Sequence, residues 1–407
     1  MIVRFLVAVM LAAAALAQSP APLFSQVNEM VSDLSGITGW KVERRVPSQM
    51  LSKENFRKYV DSRMKDSASE EEIHAEEAIL KMLGFVPQSF DLAKETVDLV
   101  SEQAAAYYDY TKKRLFILDS TQEGAEQRVA LVHELAHALA DQHHPLGKFL
   151  RKGSPDDDAS TARQAVMEGQ ATWLTWAYMS EHNGGKAEVS PELIDELTKS
   201  VGADGADYPV FTNAPLYMKE SLVFPYDEGL KFQDAIYHKM GRAAFDQVFN
   251  HAPESTQQIL HPAAYLAGEK PVDPEPPALR EFIGKKAAKQ FRVEMEGSLG
   301  EFDFSVLLRQ YIDAKDGADA ASHWRGGSCR LYQNKRAKSY VLTDISEWDS
   351  PEAAHRFFDL YQRVMKGRWK KMEVEHRDPD KITGSGDDGR FQVWVTGTTV
   401  QSIEGMR

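Results

Sequence analysis

The chain has 407 residues, of which 43% are hydrophobic and 27% are charged, the composition of a globular protein that can bury a substantial core. Its 61 acidic and 48 basic residues give a formal net charge of -13 at pH 7. Because this charge repels polyphosphate, we expect no nucleic-acid partner.

The N-terminal segment, residues 1–17, has the pattern of a secretory signal peptide. Arg4 provides a cationic start, an apolar run follows it, and Ala15 and Ala17 are small residues suited to a cleavage site. An uncleaved N-terminal anchor is the alternative. We expect the mature chain to begin near Gln18, to be periplasmic or extracellular, and to have no stable membrane span after signal cleavage.

Two helices are predicted early in the mature chain. Apolar residues recur with helical spacing over Ser52–Met64 and over Ser69–Leu83. The acidic run Glu70–Glu72 lies in the first turn of the second helix, where negative charge complements the helix dipole. We therefore interpret this run as a solvated helix start.

A β-hairpin followed by a longer helix is predicted next. Aromatic and branched residues flank a polar turn within Ala105–Ser120, and this pattern is typical of a hairpin. Ser120 and Glu123 have the spacing of a capping box. The apolar periodicity behind them predicts a helix over Glu123–Asp141.

A second long helix is predicted after a polar loop. The loop spans His144–Ala159 and contains the acidic run Asp156–Asp158. We interpret this run as solvated and not as a calcium site, because no spaced ligand loop surrounds it. Ser160 is placed to cap a helix that continues to about Ser180, and the glycines after Asn183 end it.

A proline-rich segment at residues 271–280 is the best candidate for a linker between two domains. Residues 18–270 are predicted to form a mainly helical domain with a short β-hairpin, and residues 281–407 a smaller α+β domain. The elements predicted for the second domain are a helix over Ser350–Val364 and strands over Ser339–Ile345, Phe391–Val395 and Thr399–Ile403. The predicted fold class of the chain is α+β.

The helix after the hairpin carries two histidines four residues apart, His133 and His137, in the order His-Glu-Leu-Ala-His. On a helix this spacing places both imidazoles on one face, where they can converge on one zinc ion at ~2.0–2.1 Å. Glu134 is offset from that face by one residue, beside the metal, where a carboxylate can take a proton from water. The alternative is a pair of histidines and a glutamate that simply form hydrogen bonds on a helix face.

The His-Glu-x-x-His segment resembles the zincin superfamily of metallopeptidases, and it is most similar to the gluzincin branch. In that branch a glutamate on a following helix is the third metal ligand, and Glu168 occupies the matching position here. The resemblance extends over roughly Tyr107 to Thr172. Gly169 and Ala171 are small, and we expect them to let the second helix pack closely on the first. Thr172 departs from the pattern, because an acidic residue that orients a ligand is expected there.

This resemblance implies an exported zinc peptidase with a zincin-like catalytic domain and a peptide or protein substrate. It implies that Zn²⁺ is bound by His133, His137 and Glu168, and that Glu134 is the general base that activates water. It also implies that the hairpin contributes an edge strand to the substrate cleft, where an extended peptide can pair with it.

Some residue roles stay open at the level of sequence. His143 lies where metzincins have their third histidine, but Ala140 replaces the glycine that turns the chain in that branch. Tyr226 and His238 are both candidates for a donor to an oxyanion. Two other functions compete with the peptidase hypothesis: a binding protein that retains the scaffold with little turnover, and a metal-dependent hydrolase of a non-peptide bond.

Overall fold

The computed structural model describes residues 23–119, 125–152, 156–200 and 208–407. The fold is α+β, as predicted: helices dominate the first part of the chain, and a large antiparallel sheet lies in the C-terminal part. The predicted signal peptide and the predicted capping box of Ser120 and Glu123 lie outside the described residues.

The part of the chain before the predicted linker is mainly helical. Its elements in chain order are α1 (Leu23–Thr38), β1 (Ser48–Leu51), α2 (Lys53–Ser67), α3 (Glu70–Leu83), α4 (Leu92–Gln103), β2 (Ala106–Asp109), β3 (Arg114–Leu118), α5 (Ala125–His143), α6 (Leu146–Arg151), α7 (Asp157–His182), α8 (Pro191–Ser200), α9 (Pro209–Asn213), α10 (Leu216–Met240), α11 (Ala243–Asn250), α12 (Thr256–Leu260) and α13 (Pro262–Ala267). None of the described helices combines the length and apolar character that crossing a bilayer requires.

The two early helices are confirmed as α2 and α3, and their ends follow from local chemistry. Ser52 caps α2 by accepting a hydrogen bond from the Asn55 amide. Ser69 and Glu72 form a capping box at the start of α3, and Gly84 ends that helix in the left-handed conformation with φ of 87°.

The predicted hairpin is confirmed as β2 and β3, which pair antiparallel with Tyr108 opposite Leu115. Strand β1 pairs parallel with β3, so the sheet order is β1-β3-β2 and β2 lies at an edge. The Asp109 carboxylate organises the turn by accepting from the amides of Thr111 at 2.8 Å and Lys112 at 3.0 Å. Lys113 completes the turn with a left-handed φ of 53°.

Two predictions about the segment between α5 and α7 were wrong. The predicted loop contains a short helix, α6, whose Leu146, Phe149 and Leu150 are buried. Helix α7 begins at Asp157 and not after Ser160, because the Asp156 carboxylate caps it by accepting from the Ala159 amide at 3.0 Å.

Helix α7 crosses α10 with the two backbones close together. A Cβ atom on Gly169 would overlap the backbone of Gly229, and a Cβ atom on Gly229 would overlap the carbonyl oxygen of Ala165. The expectation that Gly169 serves the contact between α7 and α5 was therefore wrong, since this glycine faces α10. The two glycines allow the backbones of α7 and α10 to touch.

The C-terminal part combines helices with one sheet. Its elements are α14 (Arg280–Ala288), β4 (Phe291–Ser298), α15 (Glu301–Tyr311), α16 (Ala314–Ala321), β5 (Trp324–Asn334), β6 (Tyr340–Trp348), α17 (Pro351–Arg368), β7 (Glu373–Asp378), β8 (Lys381–Gly386), β9 (Gly389–Thr396) and β10 (Thr399–Met406). Within the described chain, seven strands form this sheet in the order β4-β5-β6-β10-β9-β8-β7, with antiparallel neighbours. The predicted helix is confirmed as α17, and the three predicted strands are confirmed as β6, which begins one residue later than predicted, β9 and β10.

The proline-rich segment packs on the C-terminal sheet. The Val272 amide donates to the Arg325 carbonyl at 2.7 Å, and Glu275 forms a 2.6 Å ion pair with Arg330. The main hydrophobic core extends without interruption from Val27 in α1 to Val400 in β10. The predicted domain boundaries thus remain a prediction, and the core is shared across them.

Two residues of the acidic run, Asp157 and Asp158, are buried at this shared interface, so the interpretation of the run as solvated was wrong for them. Asp156 is exposed. The Asp158 side chain is buried and accepts from Thr256, from the amide at 3.1 Å and the hydroxyl at 2.6 Å. The Asp158 amide donates to the Ser298 hydroxyl at 2.9 Å. A Cβ atom on Gly300 would overlap the Asp158 carboxylate. The start of α7 therefore packs directly against the C-terminal part.

Candidate metal centre

Helices α5 and α7 bring together the three predicted metal ligands. Glu168 Oε2 lies 3.0 Å from His133 Nε2 and 3.1 Å from His137 Nε2. The two histidine Nε2 atoms are 3.0 Å apart. All three side chains are buried, and among the described residues they form a group whose potential ligand atoms lie within 4.8 Å of one another.

The geometry of this triangle suits a metal better than hydrogen bonds alone. Three atoms about equally far apart give angles near 60° at each corner, so N–H donors cannot point well at both neighbours at once. Tetrahedral zinc with bonds of ~2.0–2.1 Å places its ligand atoms about 3.3 Å apart. Two imidazole nitrogens and one carboxylate oxygen are also a donor set of catalytic zinc sites. The residues present therefore fit a zinc ion.

The electrostatics of the cluster favour a neutral His133 and an ionised Glu168. Burial lowers the pKa of His133 to about 4. Burial acts to raise the pKa of Glu168, but the charge of His137 and hydrogen bonds from both histidines outweigh it and lower this pKa to about 2. Burial acts to lower the pKa of His137, whereas the Glu168 carboxylate beside it raises this pKa overall.

Glu134 lies next to the cluster on α5, with its carboxylate directed at the edge of the hairpin. Its Oε2 atom accepts a hydrogen bond from the Tyr108 amide at 2.6 Å. Its Oε1 atom is buried and has no hydrogen-bond partner among the described residues. Burial, together with the negative charge of Glu168, raises the pKa of Glu134 to about 8. A carboxylate with one oxygen fixed and the other uncommitted is suited to accepting a proton.

The two candidate oxyanion donors, Tyr226 and His238, differ in their distance from the cluster. The ring of Tyr226 on α10 lies with its centroid 5.8 Å from that of His133. Tyr226 lies near His133 because α10 crosses α7 at Gly229, three residues after Tyr226. His238 is exposed and its Nδ1 atom lies 2.9 Å from the Asp234 carbonyl oxygen of its own helix. Only Tyr226 of this pair is near the cluster.

The structure does not bring His143 to the cluster. Its ring stacks on Trp40 with centroids 5.4 Å apart, and its Nε2 atom lies 2.8 Å from the Lys41 carbonyl oxygen. Helix α5 continues through Ala140 to His143 without a turn. The metzincin alternative therefore does not describe this site.

Several residues around the site were missed at the level of sequence. Asp141, one turn after His137 on α5, accepts from the Tyr108 hydroxyl at 2.9 Å and from Lys113 Nζ at 2.5 Å. Its position four residues beyond a ligand was the available signal. Thr172, where an acidic residue was expected, has a buried hydroxyl with no partner among the described residues.

Comparisons with known proteins concern the C-terminal part. A family model described as a domain of unknown function (DUF8575) matches residues 289–407. No match was found among curated proteins or among solved structures. The matched region begins just before β4 and does not include the metal-binding candidates on α5 and α7.

Proposed function

We propose that this protein is an exported zinc-dependent peptidase. The observation that carries the proposal is the buried triangle of His133, His137 and Glu168, with Glu134 beside it on the same helix as the histidines. Two histidines and a glutamate occupy three positions of a tetrahedral site and leave the fourth open.

The protein residues take distinct roles in the proposed reaction. When bound, zinc supplies Lewis-acid polarisation of water and of the peptide carbonyl. Glu134 accepts the proton of the attacking water and returns it to the amine that leaves. Tyr226 is the candidate donor to the oxyanion that develops on the carbonyl oxygen, because of its position next to His133.

The location of β2 supports a peptide as the substrate. This strand lies at the edge of its sheet and packs against α5, with the Tyr108 amide turned toward Glu134. An extended peptide adds to a sheet through such an edge, with backbone hydrogen bonds that do not depend on sequence. The four residues of β2 are buried in this structure, so pairing would require the neighbouring segments to move away, and it would then place the peptide backbone beside the carboxylate of Glu134.

The proposal is tested by metal analysis and by digestion of casein with purified mature protein. We expect about one zinc per chain and peptide products from casein. Glu134→Gln should retain zinc and lose hydrolysis by ~10²–10⁴-fold, since an amide cannot accept the proton.

The other outcomes identify the competing functions. A zinc-loaded protein that leaves casein intact would indicate a binding protein or a hydrolase of another bond. Absence of zinc after reconstitution, or full hydrolysis by Glu134→Gln, would refute the proposal.

A further inference from the structure

Tyr108 contacts two acidic side chains of α5 with two different groups. Its amide donates to Glu134 Oε2 at 2.6 Å, and its hydroxyl donates to Asp141 Oδ2 at 2.9 Å. Glu134 and Asp141 are seven residues apart, which is about two helical turns, so they lie on one face of α5. Tyr108 therefore spans the face that carries the proposed general base.

Asp141 is a buried anchor with donors from several elements. Its side chain has no exposed surface and accepts from Lys113 Nζ at 2.5 Å and from the Leu146 amide at 3.0 Å. Arg44 approaches the same carboxylate at 3.4 Å. These bonds join the hairpin, the start of α6 and the segment before β1 to one point on α5. A buried carboxylate with this number of donors is fixed in position.

The hairpin turn presents Lys113 to this anchor. Lys113 has a left-handed φ of 53°, a conformation that side chains other than glycine adopt at a cost. The hydrogen bonds of Asp109 to the amides of Thr111 and Lys112 support that conformation. Because the turn holds Lys113 in this conformation, the ammonium group of Lys113 reaches α5 and donates to Asp141.

We propose that Tyr108, Asp141 and Lys113, here called the Tyr108 clamp, position the carboxylate of Glu134 for proton transfer. The amide of Tyr108 fixes Oε2, and Oε1 is thereby left to face the water. Asp141 binds both the hydroxyl of Tyr108 and the ammonium of Lys113. These two contacts fix the position of β2 on α5, and so they fix the position of the Tyr108 amide. Fixing a catalytic group in its reactive orientation accelerates the step it performs. This inference rests on the proposed peptidase function.

The first test compares two tyrosines of the same strand. Tyr108→Phe removes the bond to Asp141, whereas the matched control Tyr107→Phe removes a hydroxyl from the ring that stacks on Phe116, at a 4.9 Å centroid distance. We expect Tyr108→Phe to lower kcat about tenfold, with KM and zinc content unchanged, and we expect Tyr107→Phe to match the wild type. A tenfold loss corresponds to about 1.4 kcal/mol.

The second test measures coupling within the clamp. Asp141→Asn keeps an acceptor for Tyr108 but removes the charge that Lys113 meets, so its kcat should also fall. The double variant Tyr108→Phe with Asp141→Asn should lose little more than the worse single variant, since both changes disturb the same placement of β2 on α5. Lys113→Met should resemble Asp141→Asn, whereas Lys112→Met is the control on the same turn.

The third test asks whether the clamp acts through Glu134. In a Glu134→Gln background, Tyr108→Phe should cause no further loss of residual hydrolysis, because the group that it positions is gone. A merely structural role would lower activity in both backgrounds.

The outcomes separate the two proposals. If Tyr108→Phe hydrolyses casein like the wild type, or if its loss follows a loss of zinc or a rise in KM, the clamp inference is refuted. If the wild-type protein shows no zinc-dependent hydrolysis that requires Glu134, the peptidase function itself fails.

Discussion

Glu168 is bound on one side only. Its Oε2 atom contacts both histidines, whereas its Oε1 atom is buried without a hydrogen-bond partner among the described residues. A buried carboxylate normally satisfies both oxygens, because an unsatisfied one costs about 1–3 kcal/mol. Retaining such a group is reasonable where it serves a ligand. The uncommitted Oε1 atom thus supports the proposed role of Glu168 as a metal ligand.

Removal of individual ligands should distinguish this site from the metzincin arrangement. We expect His133→Ala and Glu168→Ala to reduce zinc from about one per chain to background, because two ligands do not form a stable site. His143→Ala should keep its zinc, since His143 stacks on Trp40 away from the cluster. Elemental analysis of the purified variants measures this. An empty site in His143→Ala, with a full one in Glu168→Ala, would contradict the assignment.

Tyr226 should matter for turnover and not for metal binding. We expect Tyr226→Phe to lower kcat by ~10²–10³-fold, the usual loss when one oxyanion donor is removed. Zinc content should be unchanged, because the proposed ligands His133, His137 and Glu168 all remain. His238→Ala is the control, since this exposed residue contacts Asp234. Equal kcat values for Tyr226→Phe and the wild type would remove Tyr226 from its role.

Some of these site residues could be predicted from the sequence and others could not, and the difference has a physical reason. His133, Glu134 and His137 follow from helical periodicity, which is local. Glu168 is 31 residues from His137, and no local rule predicts a contact over that separation. Its assignment as a ligand therefore depended on the resemblance to gluzincins. Tyr108 and Lys113 depend on the register of the hairpin and the exact turn, and neither could be read from spacing.

At the level of elements, the site depends on the crossing of α7 and α10. We expect Gly169→Ala to destabilise the protein by about 1–3 kcal/mol, because the new methyl group would overlap Gly229 and force the helices apart. The same shift should weaken zinc binding, since Glu168 is adjacent. Chemical denaturation with measured zinc content tests both effects.

Gly36→Ala in α1 is the matched control for that change. A Cβ atom there meets no other atom within 4 Å, and alanine is the better helix former. Its stability should therefore equal or exceed that of the wild type. A fully stable Gly169→Ala would show that the crossing tolerates a larger spacing than the structure has.

Elements with strong local sequence signals were predicted, whereas elements that depend on packing or on strand pairing were not. Helix α6 begins after Pro145 and is stabilised by burial of its apolar face, which sequence alone presents as a proline-containing loop. Strand β5 contains Gly326 and Gly327, which are typical of turns. Strand β7 is exposed along its whole length, so no apolar alternation marks it. Both segments form strands because they pair with neighbouring strands of the sheet.

At the scale of the whole molecule, the buried carboxyl of Asp158 links α7 to the C-terminal part. Burial, with added repulsion from Asp303, raises its pKa from 3.8 to about 8. A carboxyl whose pKa is higher in the folded state stabilises the fold at low pH, and this contribution is lost as pH rises through the folded-state value. The wild type should therefore lose stability between about pH 4 and pH 8 through this group.

Asp158→Asn should remove that part of the pH dependence. The asparagine oxygen can still accept from Thr256, and it carries no charge at any pH, so the free energy of unfolding should vary less over this range. Asp61→Asn, at a half-exposed position on α2, is the control. Parallel pH profiles for Asp158→Asn and the wild type, measured by urea unfolding, would contradict this account.

The complete burial of the His133, His137 and Glu168 cluster has a kinetic consequence. Neither a chelator nor a peptide can reach ligand atoms that have almost no exposed surface, so each must wait for the surrounding structure to open. If zinc is bound there as proposed, its exchange cannot be faster than that opening. In the proposed peptidase the ion would therefore have a long residence time, and the same opening would limit the turnover rate.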